Sequence, residues 1–283
     1  MKEIKNKITV AITLLLIPFS ALFVLWVATE IGVDLRELQG ASFKLSPKNL
    51  FIAYLFVGLQ FLIIFIAHKL ILKKPFKSLG FKAKKGVSLL FMGTFIALFI
   101  KAIIYLGYIG SASDFSINWS VPGNIGPGEM IAYYVYYLIF LLTLNSLTEE
   151  VVYRAFPLEN LWDKKSNYFL TVLLVAILFA AVHHLLEPFS WSVFTTRVLF
   201  GTLAGILYCQ HRSIWLPVGL HNGWNWVSTS FTGNWKCGGL FDLEVSNDLL
   251  SLTTISNTIL FLAILYFFYK LKSRQAVRRG TIS

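Results

Sequence analysis

The chain has 283 residues and a net charge of +11; only 14% of its residues are charged, 56% are hydrophobic and the mean hydropathy is +0.67. An ordinary soluble domain carries about 25% charged residues, and a globule of this length cannot bury so much apolar side chain beneath a polar surface. The composition excludes a soluble protein and indicates an integral membrane protein. The basic residues lie between apolar runs, which favours a role in membrane topology over nucleic-acid binding.

Eight apolar segments along the chain approach the length of about 20 residues that crosses a bilayer. They cover residues 8–28, 50–72, 87–109, 130–147, 168–186, 192–209, 214–231 and 249–271. We therefore predict an all-α membrane protein, a single polytopic domain over residues 1–283. It forms a bundle of about eight transmembrane helices, with a polar cavity between the middle and late helices. Residues 1–129 hold the N-terminal transmembrane helices.

The basic residues predict the orientation of this bundle, because cytoplasmic loops carry an excess of lysine and arginine. With the N-terminus in the cytoplasm, 19 of the 25 basic residues are cytoplasmic and 4 are external. The cytoplasmic ones are Lys2, Lys5, Lys7, Lys69, Lys73, Lys74, Lys77, Lys82, Lys84, Lys85, Arg154, Lys164, Lys165, Arg212, Lys270, Lys272, Arg274, Arg278 and Arg279. The external ones are Arg36, Lys44, Lys48 and Lys236. This distribution predicts an even number of spans with both termini in the cytoplasm.

Three polar clusters interrupt or follow apolar segments, where ionisable groups cost several kcal/mol and mark candidate sites. They are residues 149–154, 179–184 and 221–225. In the first cluster, Glu150 and Arg154 stand at i and i+4 of a helix and can form an ion pair on one face. Glu149 points about 100° away from that face and stays available for other partners.

The other two clusters repeat the same helical spacing. Phe179 and His183 are four residues apart, which places an aromatic ring one turn from an imidazole. His221 and Asn225 are also four residues apart, so an imidazole and a carboxamide project to one side of a helix. Together with Glu149, these groups can activate water and stabilise an oxyanion.

Taken together, the clusters resemble the CPBP family of intramembrane proteases, the CAAX-processing and bacteriocin-processing group also labelled Abi. The hallmarks of that family, in this order, are EExxxR, FxxxH and HxxxN/D. In this chain they are residues 149–154, 179–183 and 221–225, and the segment 200–217 is similar to the family's small-residue helix and turn. The resemblance covers about residues 130–231, which we interpret as the catalytic core.

The resemblance implies a role for each matched residue. Glu149 is the base that polarises a water molecule together with His183. His221 and Asn225 face the scissile carbonyl and bind its developing negative charge. The residues that support this arrangement are Glu150, Arg154 and Phe179.

The sequence leaves the involvement of a metal open. Glu149, His183 and His221 form an acceptable ligand set for catalytic Zn²⁺, with one coordination position left for water. The ligands would come from three separate helices rather than from one HExxH helix. Activation of water by glutamate and histidine without a metal accounts for the same residues.

The function implied by the resemblance is endoproteolysis within the membrane. The expected partners are the lipid bilayer and a membrane-embedded peptide or protein substrate, such as a lipidated CAAX-type chain, and no nucleic acid. A bacteriocin-immunity or peptide-maturation protein of the same family is one alternative, and a non-catalytic transporter or scaffold is another. The short cytoplasmic loops favour a multi-pass protein of a bacterial plasma membrane.

The position of the first motif predicts the depth of the site. Glu149 directly follows the fourth span, 130–147, which runs from outside to inside in the predicted orientation. We therefore expect Glu149, His183, His221 and Asn225 to converge on one water-accessible cavity near the cytoplasmic side.

Overall fold

The structure, a computed structural model, describes residues 2–34, 46–81, 85–118, 128, 131, 142–161, 168–185, 188–231, 242–246 and 251–278. The helices are α1 (Lys2–Glu30), α2 (Pro47–Phe65), α3 (Gly86–Gly110), α4 (Thr143–Glu150), α5 (Phe156–Leu161), α6 (Tyr168–His183), α7 (Trp191–His211), α8 (Trp215–Phe231) and α9 (Leu252–Arg278). π-helical turns cover Ile66–Ile71 and Val151–Ala155, and a 3-10 turn covers Phe76–Leu79. The strands are β1 (Asp114–Asn118) and β2 (Asp242–Ser246).

Local sequence signals set several helix ends. The Ser46 hydroxyl accepts a hydrogen bond from the backbone amide of Asn49 at 3.2 Å, and Pro47 occupies the first turn of α2. This is the arrangement that stabilises a helix N-terminus, since it satisfies a free amide and places proline where no amide hydrogen is needed. At the other end of the bundle, Arg212 has φ +51° and terminates α7.

Helix α7 forms the centre of the bundle. Its residues 200–209 are all buried, and it packs between α6 and α9. A Cβ atom at Gly205 would lie 2.7 Å from Val172 of α6, so the absent side chain lets these two helices approach closely. Thr196 near the start of α7 donates to Asn257 near the start of α9 at 2.7 Å, and Gln210 near the end of α7 donates to the Phe267 carbonyl oxygen at 2.6 Å, so these two helices run parallel.

Helices α3 and α8 run parallel and touch backbone to backbone. A Cβ atom at Gly93 of α3 would collide with the Leu216 carbonyl oxygen, and one at Gly219 of α8 would collide with that of Leu90. Close contact through small residues is a common way of packing helices inside a membrane. It fixes the position of α8, and with it the third motif.

Strands β1 and β2 form a two-stranded antiparallel ribbon, in which Asp114 is opposite Ser246 and Asn118 is opposite Asp242. The ribbon joins the segment after α3 to the segment after α8. It was not predicted, because the two strands are more than a hundred residues apart in the sequence and neither has a strong pattern alone.

The predicted all-α membrane bundle is otherwise confirmed. Seven of the eight predicted spans coincide with helices, and the fourth, 130–147, lies mostly outside the described residues. Within the part of the chain that is described, five helical segments are long and apolar enough to cross a membrane. They are Glu3–Glu30, Pro47–Ile71, Gly86–Gly110, Trp191–His211 and Leu252–Lys270. The count of eight spans stays a prediction.

The helix that contains the end of the predicted fourth span continues beyond residue 147. Helix α4, the π turn and α5 form one continuous helix from Thr143 to Leu161. Glu149 lies twelve residues before its end, about 18 Å at the rise of an α-helix. The apolar run ends before the first motif, but Glu150 and Arg154 of that motif stay inside the bundle by pairing with each other.

Candidate active site

Glu150 forms the centre of a buried ionic network. Its Oε1 atom lies 3.2 Å from Arg154 Nη1 and 2.8 Å from His221 Nδ1 of α8. The side chains of Glu150 and Arg154 are 0% and 1% exposed. A carboxylate at this depth needs compensating charge and hydrogen bonds, so the pair predicted from the spacing of the first motif also anchors the first histidine of the third motif.

Phe179 connects the same network to the second motif. Its ring lies 4.1 Å from the Arg154 guanidinium carbon and 4.6 Å from the ring of His183. A guanidinium over an aromatic face is attracted by the ring quadrupole. Gly201 of α7 leaves room for this arrangement, since a Cβ atom there would stand 3.0 Å from Arg154 Nη2. Phe179 therefore separates the buried arginine from His183.

Glu149 faces the two histidines. Its Oε1 atom accepts a hydrogen bond from Asn145 Nδ2 at 2.7 Å. Its Oε2 atom lies 3.7 Å from His221 Nε2 and 4.0 Å from His183 Nε2. Oε2 is buried and accepts no hydrogen bond from the residues that the structure describes. These separations exceed a direct hydrogen bond and suit a bridging water molecule.

Both histidines are held through Nδ1. His183 Nδ1 lies 2.7 Å from the Phe179 carbonyl oxygen, and His221 Nδ1 lies 2.8 Å from the Glu150 carboxylate. Because both partners are acceptors, each Nδ1 carries the hydrogen, by assignment from its surroundings. In the neutral imidazoles, Nε2 is then an acceptor that faces Glu149.

A cavity of about 340 Å³ contains this arrangement. It is lined by Asn145, Glu149, Phe179, His183, Val193, Thr196, Arg197, Phe200, His221, Trp224, Asn225, Ser228 and Thr253. The four residues expected to be catalytic thus line one cavity. Asn225 lies one helical turn from His221, towards the end of α8. The cavity is polar and large enough to hold water.

The residues that support this cavity include one that the sequence analysis missed. Asn145 positions Glu149 from the preceding turn of α4, and its spacing of four residues from Glu149 was the available signal. Glu150 and Arg154 lie beneath the cavity and do not line it. Arg197, in the span between the two histidine helices, is half-buried and lines the cavity beside Thr196.

The three residues predicted as possible zinc ligands, Glu149, His183 and His221, line one cavity, and metal binding there stays a prediction. Within the described part of the chain, no group of three or more His, Cys, Asp or Glu side chains is arranged to hold a metal ion. Two ligands of one tetrahedral zinc lie about 3.4 Å apart for bonds of about 2.1 Å. The distances from Glu149 Oε2 to His183 and His221, 4.0 and 3.7 Å, are longer.

The depth of the cavity contradicts one expectation. The cavity reaches Val193 in the first turn of α7, Ser228 near the end of α8 and Thr253 in the first turn of α9. If the N-terminus is cytoplasmic, all three turns lie in the external half of the bundle. A cavity near the cytoplasmic side is therefore incompatible with the predicted orientation, which itself stays a prediction, because the fourth helix continues past Glu149 to Leu161.

Comparison with known proteins agrees with the motifs. The family model of the type II CAAX prenyl endopeptidases, Rce1-like, matches residues 131–227. The matched segment contains all three motifs, 149–154, 179–183 and 221–225. No curated protein and no solved structure matches the chain. The match confirms the resemblance to the CPBP family.

Proposed function

We propose that this membrane protein is an intramembrane endopeptidase, because the family model of the type II CAAX prenyl endopeptidases, Rce1-like, matches residues 131–227. It hydrolyses a peptide bond of a membrane-associated substrate with a water molecule that Glu149 and the histidines activate. Residues 130–231 form the catalytic core of this proposal, and the multi-pass protein lies in a cell membrane.

One observation carries the proposal. Glu149 Oε2 is buried, accepts no hydrogen bond from the described residues, and faces Nε2 of both His183 and His221 across a cavity. A buried acceptor without a donor costs free energy, so water or substrate is the expected partner. A water molecule there can donate one hydrogen to Glu149 and the other to an imidazole nitrogen.

The proposed reaction begins with transfer of a proton from this water to Glu149, while its oxygen attacks the scissile carbonyl carbon. The carbonyl oxygen becomes an oxyanion in a tetrahedral intermediate. When the carbon–nitrogen bond breaks, Glu149 returns the proton to the leaving amine. The products are a carboxyl group and an amine. His183, fixed through its Nδ1 hydrogen bond, orients the water.

The oxyanion has two candidate donors on α8. The Asn225 carboxamide is a donor in every protonation state of the site. His221 becomes a donor through Nε2 when its ring is protonated, and Glu150 stabilises that imidazolium through Nδ1, as a buried carboxylate does in a Ser-His-Asp triad. Arg154 pairs with Glu150 at 3.2 Å and holds its carboxylate in place. This arrangement supports acyl-transfer chemistry, in which a preorganised donor to the oxyanion has a large effect.

The test is hydrolysis of a fluorogenic, membrane-soluble peptide by purified protein. Glu149→Gln keeps the size and the hydrogen bond to Asn145 but removes the base, so we expect its turnover to fall by at least about 100-fold. The matched control is Glu159→Gln on α5, whose carboxylate pairs with Arg212 at 3.4 Å, far from the cavity. Equal hydrolysis by all three proteins, or none by the wild type, would support a non-catalytic transporter or scaffold instead.

A further inference from the structure

The two ends of the bundle differ in how they relate to the cavity. We call the end where α6 terminates, α7 begins, α8 terminates and α9 begins the cavity end. Val193, Ser228 and Thr253, which line the cavity, are all within three residues of a helix terminus at this end. The cavity therefore extends from Glu149 to the cavity end of the bundle.

The opposite end is closed. Glu150 and Arg154 lie directly beneath the site and are 0% and 1% exposed. Beyond them, Tyr208 near the end of α7 and Ile214 before α8 are fully buried. These side chains form a packed core between Glu149 and the far end, which favours access to Glu149 from the cavity end.

The closed end is also the basic end. Contacts between elements locate it: Arg212 after α7 pairs with Glu159 of α5 at 3.4 Å, and Lys74 after α2 donates to Asn160 at 2.7 Å. Ile214 donates its backbone amide to the Gly80 carbonyl oxygen at 3.3 Å. The ends of α2, α5 and α7 therefore meet here, together with the start of α8.

Most of the basic residues belong to this end. Arg154 is buried inside the bundle, so it is not included among the basic residues of the loops. Of the other basic residues that the structure describes, 13 lie in segments at the closed end, Lys48 lies at the cavity end, and Lys101 and Arg197 lie within helices. By the positive-inside rule, the closed end faces the cytoplasm.

We infer that the cavity is open to the extracytoplasmic side, and that the substrate is an extracytoplasmic segment of a membrane-anchored polypeptide. The part of this inference that concerns the substrate rests on the proposed function. The part that concerns the side of access rests on the distribution of charge and on packing alone. In a CaaX protein, the prenyl group is attached to the cysteine of the C-terminal motif, and this modification takes place in the cytoplasm. A substrate of that kind would meet the closed end of the bundle and not the cavity.

The first experiment locates the cavity without using activity. In a background with Cys209→Ala and Cys237→Ser, single cysteines are introduced as Thr253→Cys in the cavity, Ser251→Cys beside it, and Lys77→Cys at the closed end. Intact cells are treated with a membrane-impermeant maleimide, and permeabilised cells are treated in parallel. We expect Thr253→Cys and Ser251→Cys to react in intact cells and Lys77→Cys only after permeabilisation. The reverse pattern would overturn the inference.

A second experiment tests the substrate. A lipid-tethered, quenched peptide that does not cross the membrane is added to intact spheroplasts that contain the wild type or Glu149→Gln. We expect cleavage by the wild type without permeabilisation. Cleavage only after permeabilisation would overturn the proposed side of access. Equal signals from wild type and Glu149→Gln in both conditions would contradict the protease function, whereas cysteine labelling would still report the side on which the cavity opens.

Discussion

Two buried polar clusters can be compared within the described part of the bundle, and the first of them lines the cavity at Glu149. The first is the site cluster around Glu149 and His221. The second, which we call the His68 cluster, consists of His68, Lys74, Ser78 and Asn160 near the closed end. The second cluster was not predicted from the sequence. Its histidine lies within an apolar segment and is 0% exposed in the structure.

The clusters differ in how their histidines are satisfied. Both ring nitrogens of His68 have partners, since Nδ1 lies 3.2 Å from Asn160 Nδ2 and Nε2 lies 2.9 Å from Ser78 Oγ. Phe76 and Phe156 pack edge-on against the ring. His221 has one nitrogen held by Glu150 and the other facing the cavity. A buried histidine in a membrane helix therefore indicates a reactive site only when one nitrogen faces space that water can occupy.

Replacing the two histidines in the same way tests this difference most strongly. We expect His221→Asn to lower turnover by about 10²–10⁴-fold, because it removes a group that acts on the reacting atoms. His68→Asn should leave turnover close to that of the wild type while lowering the thermal midpoint. The measurements are the kcat of peptide hydrolysis and thermal unfolding in one detergent. Equal losses of kcat would remove the distinction between the clusters.

The two adjacent glutamates sharpen the comparison within the site cluster. Glu150→Gln leaves the buried Arg154 without a charged partner, so we expect it to lower the free energy of unfolding by about 3–5 kcal/mol. Its turnover should fall less than that of Glu149→Gln, because glutamine can still accept a hydrogen bond from His221 Nδ1. Glu149→Gln should unfold like the wild type. A stable but inactive Glu150→Gln protein would reverse the assignment of the base.

Two asparagines on α8 form a matched pair. Asn225 lines the cavity, whereas Asn222 donates to Thr143 Oγ1 at 3.0 Å and does not line it. We expect Asn225→Ala to lower kcat by about 10²–10³-fold with little change in KM, as expected for the loss of an oxyanion donor. Asn222→Ala should change kcat little. If Asn225→Ala changed KM alone, Asn225 would bind the substrate without stabilising the transition state.

The smallest expected effect is in the His68 cluster. Asn160 donates to the Phe156 carbonyl oxygen at 2.7 Å and accepts a hydrogen bond from Lys74 at 2.7 Å. We expect Asn160→Ala to lower the free energy of unfolding by about 1–3 kcal/mol, because it leaves His68 Nδ1 buried without a donor. The check is chemical denaturation together with kcat, which should not change. A loss of kcat at wild-type stability would make the His68 cluster part of the active site.

The sequence by itself determined the class of the protein and the contacts within each helix. Apolar length set the spans, because a bilayer requires about 20 apolar residues in succession. Helical periodicity predicted the ion pair between Glu150 and Arg154, since positions i and i+4 are neighbours on any helix. It also placed Phe179 against His183, whose rings are 4.6 Å apart. These features depend on local geometry alone.

Tertiary structure decided every contact between helices. The hydrogen bond from His221 to Glu150 and the position of Phe179 beside Arg154 join residues on separate helices. Their distances depend on how closely the helices approach, which small residues such as Gly201 and Gly219 set across the bundle. Sequence spacing carries no information about that approach.

The depth of the site and the separation of the two polar clusters also required the packed structure. The apolar run of the fourth span ends at residue 147 in the sequence, but in the bundle Glu150 and Arg154 pair with each other and the helix continues to Leu161. His68 has the same chemistry as His221, and only the partners brought by other segments, Ser78 and Asn160, make it fully satisfied. The chemical identity of each side chain follows from the sequence. Its hydrogen-bonding partners and its access to water depend on how the helices pack.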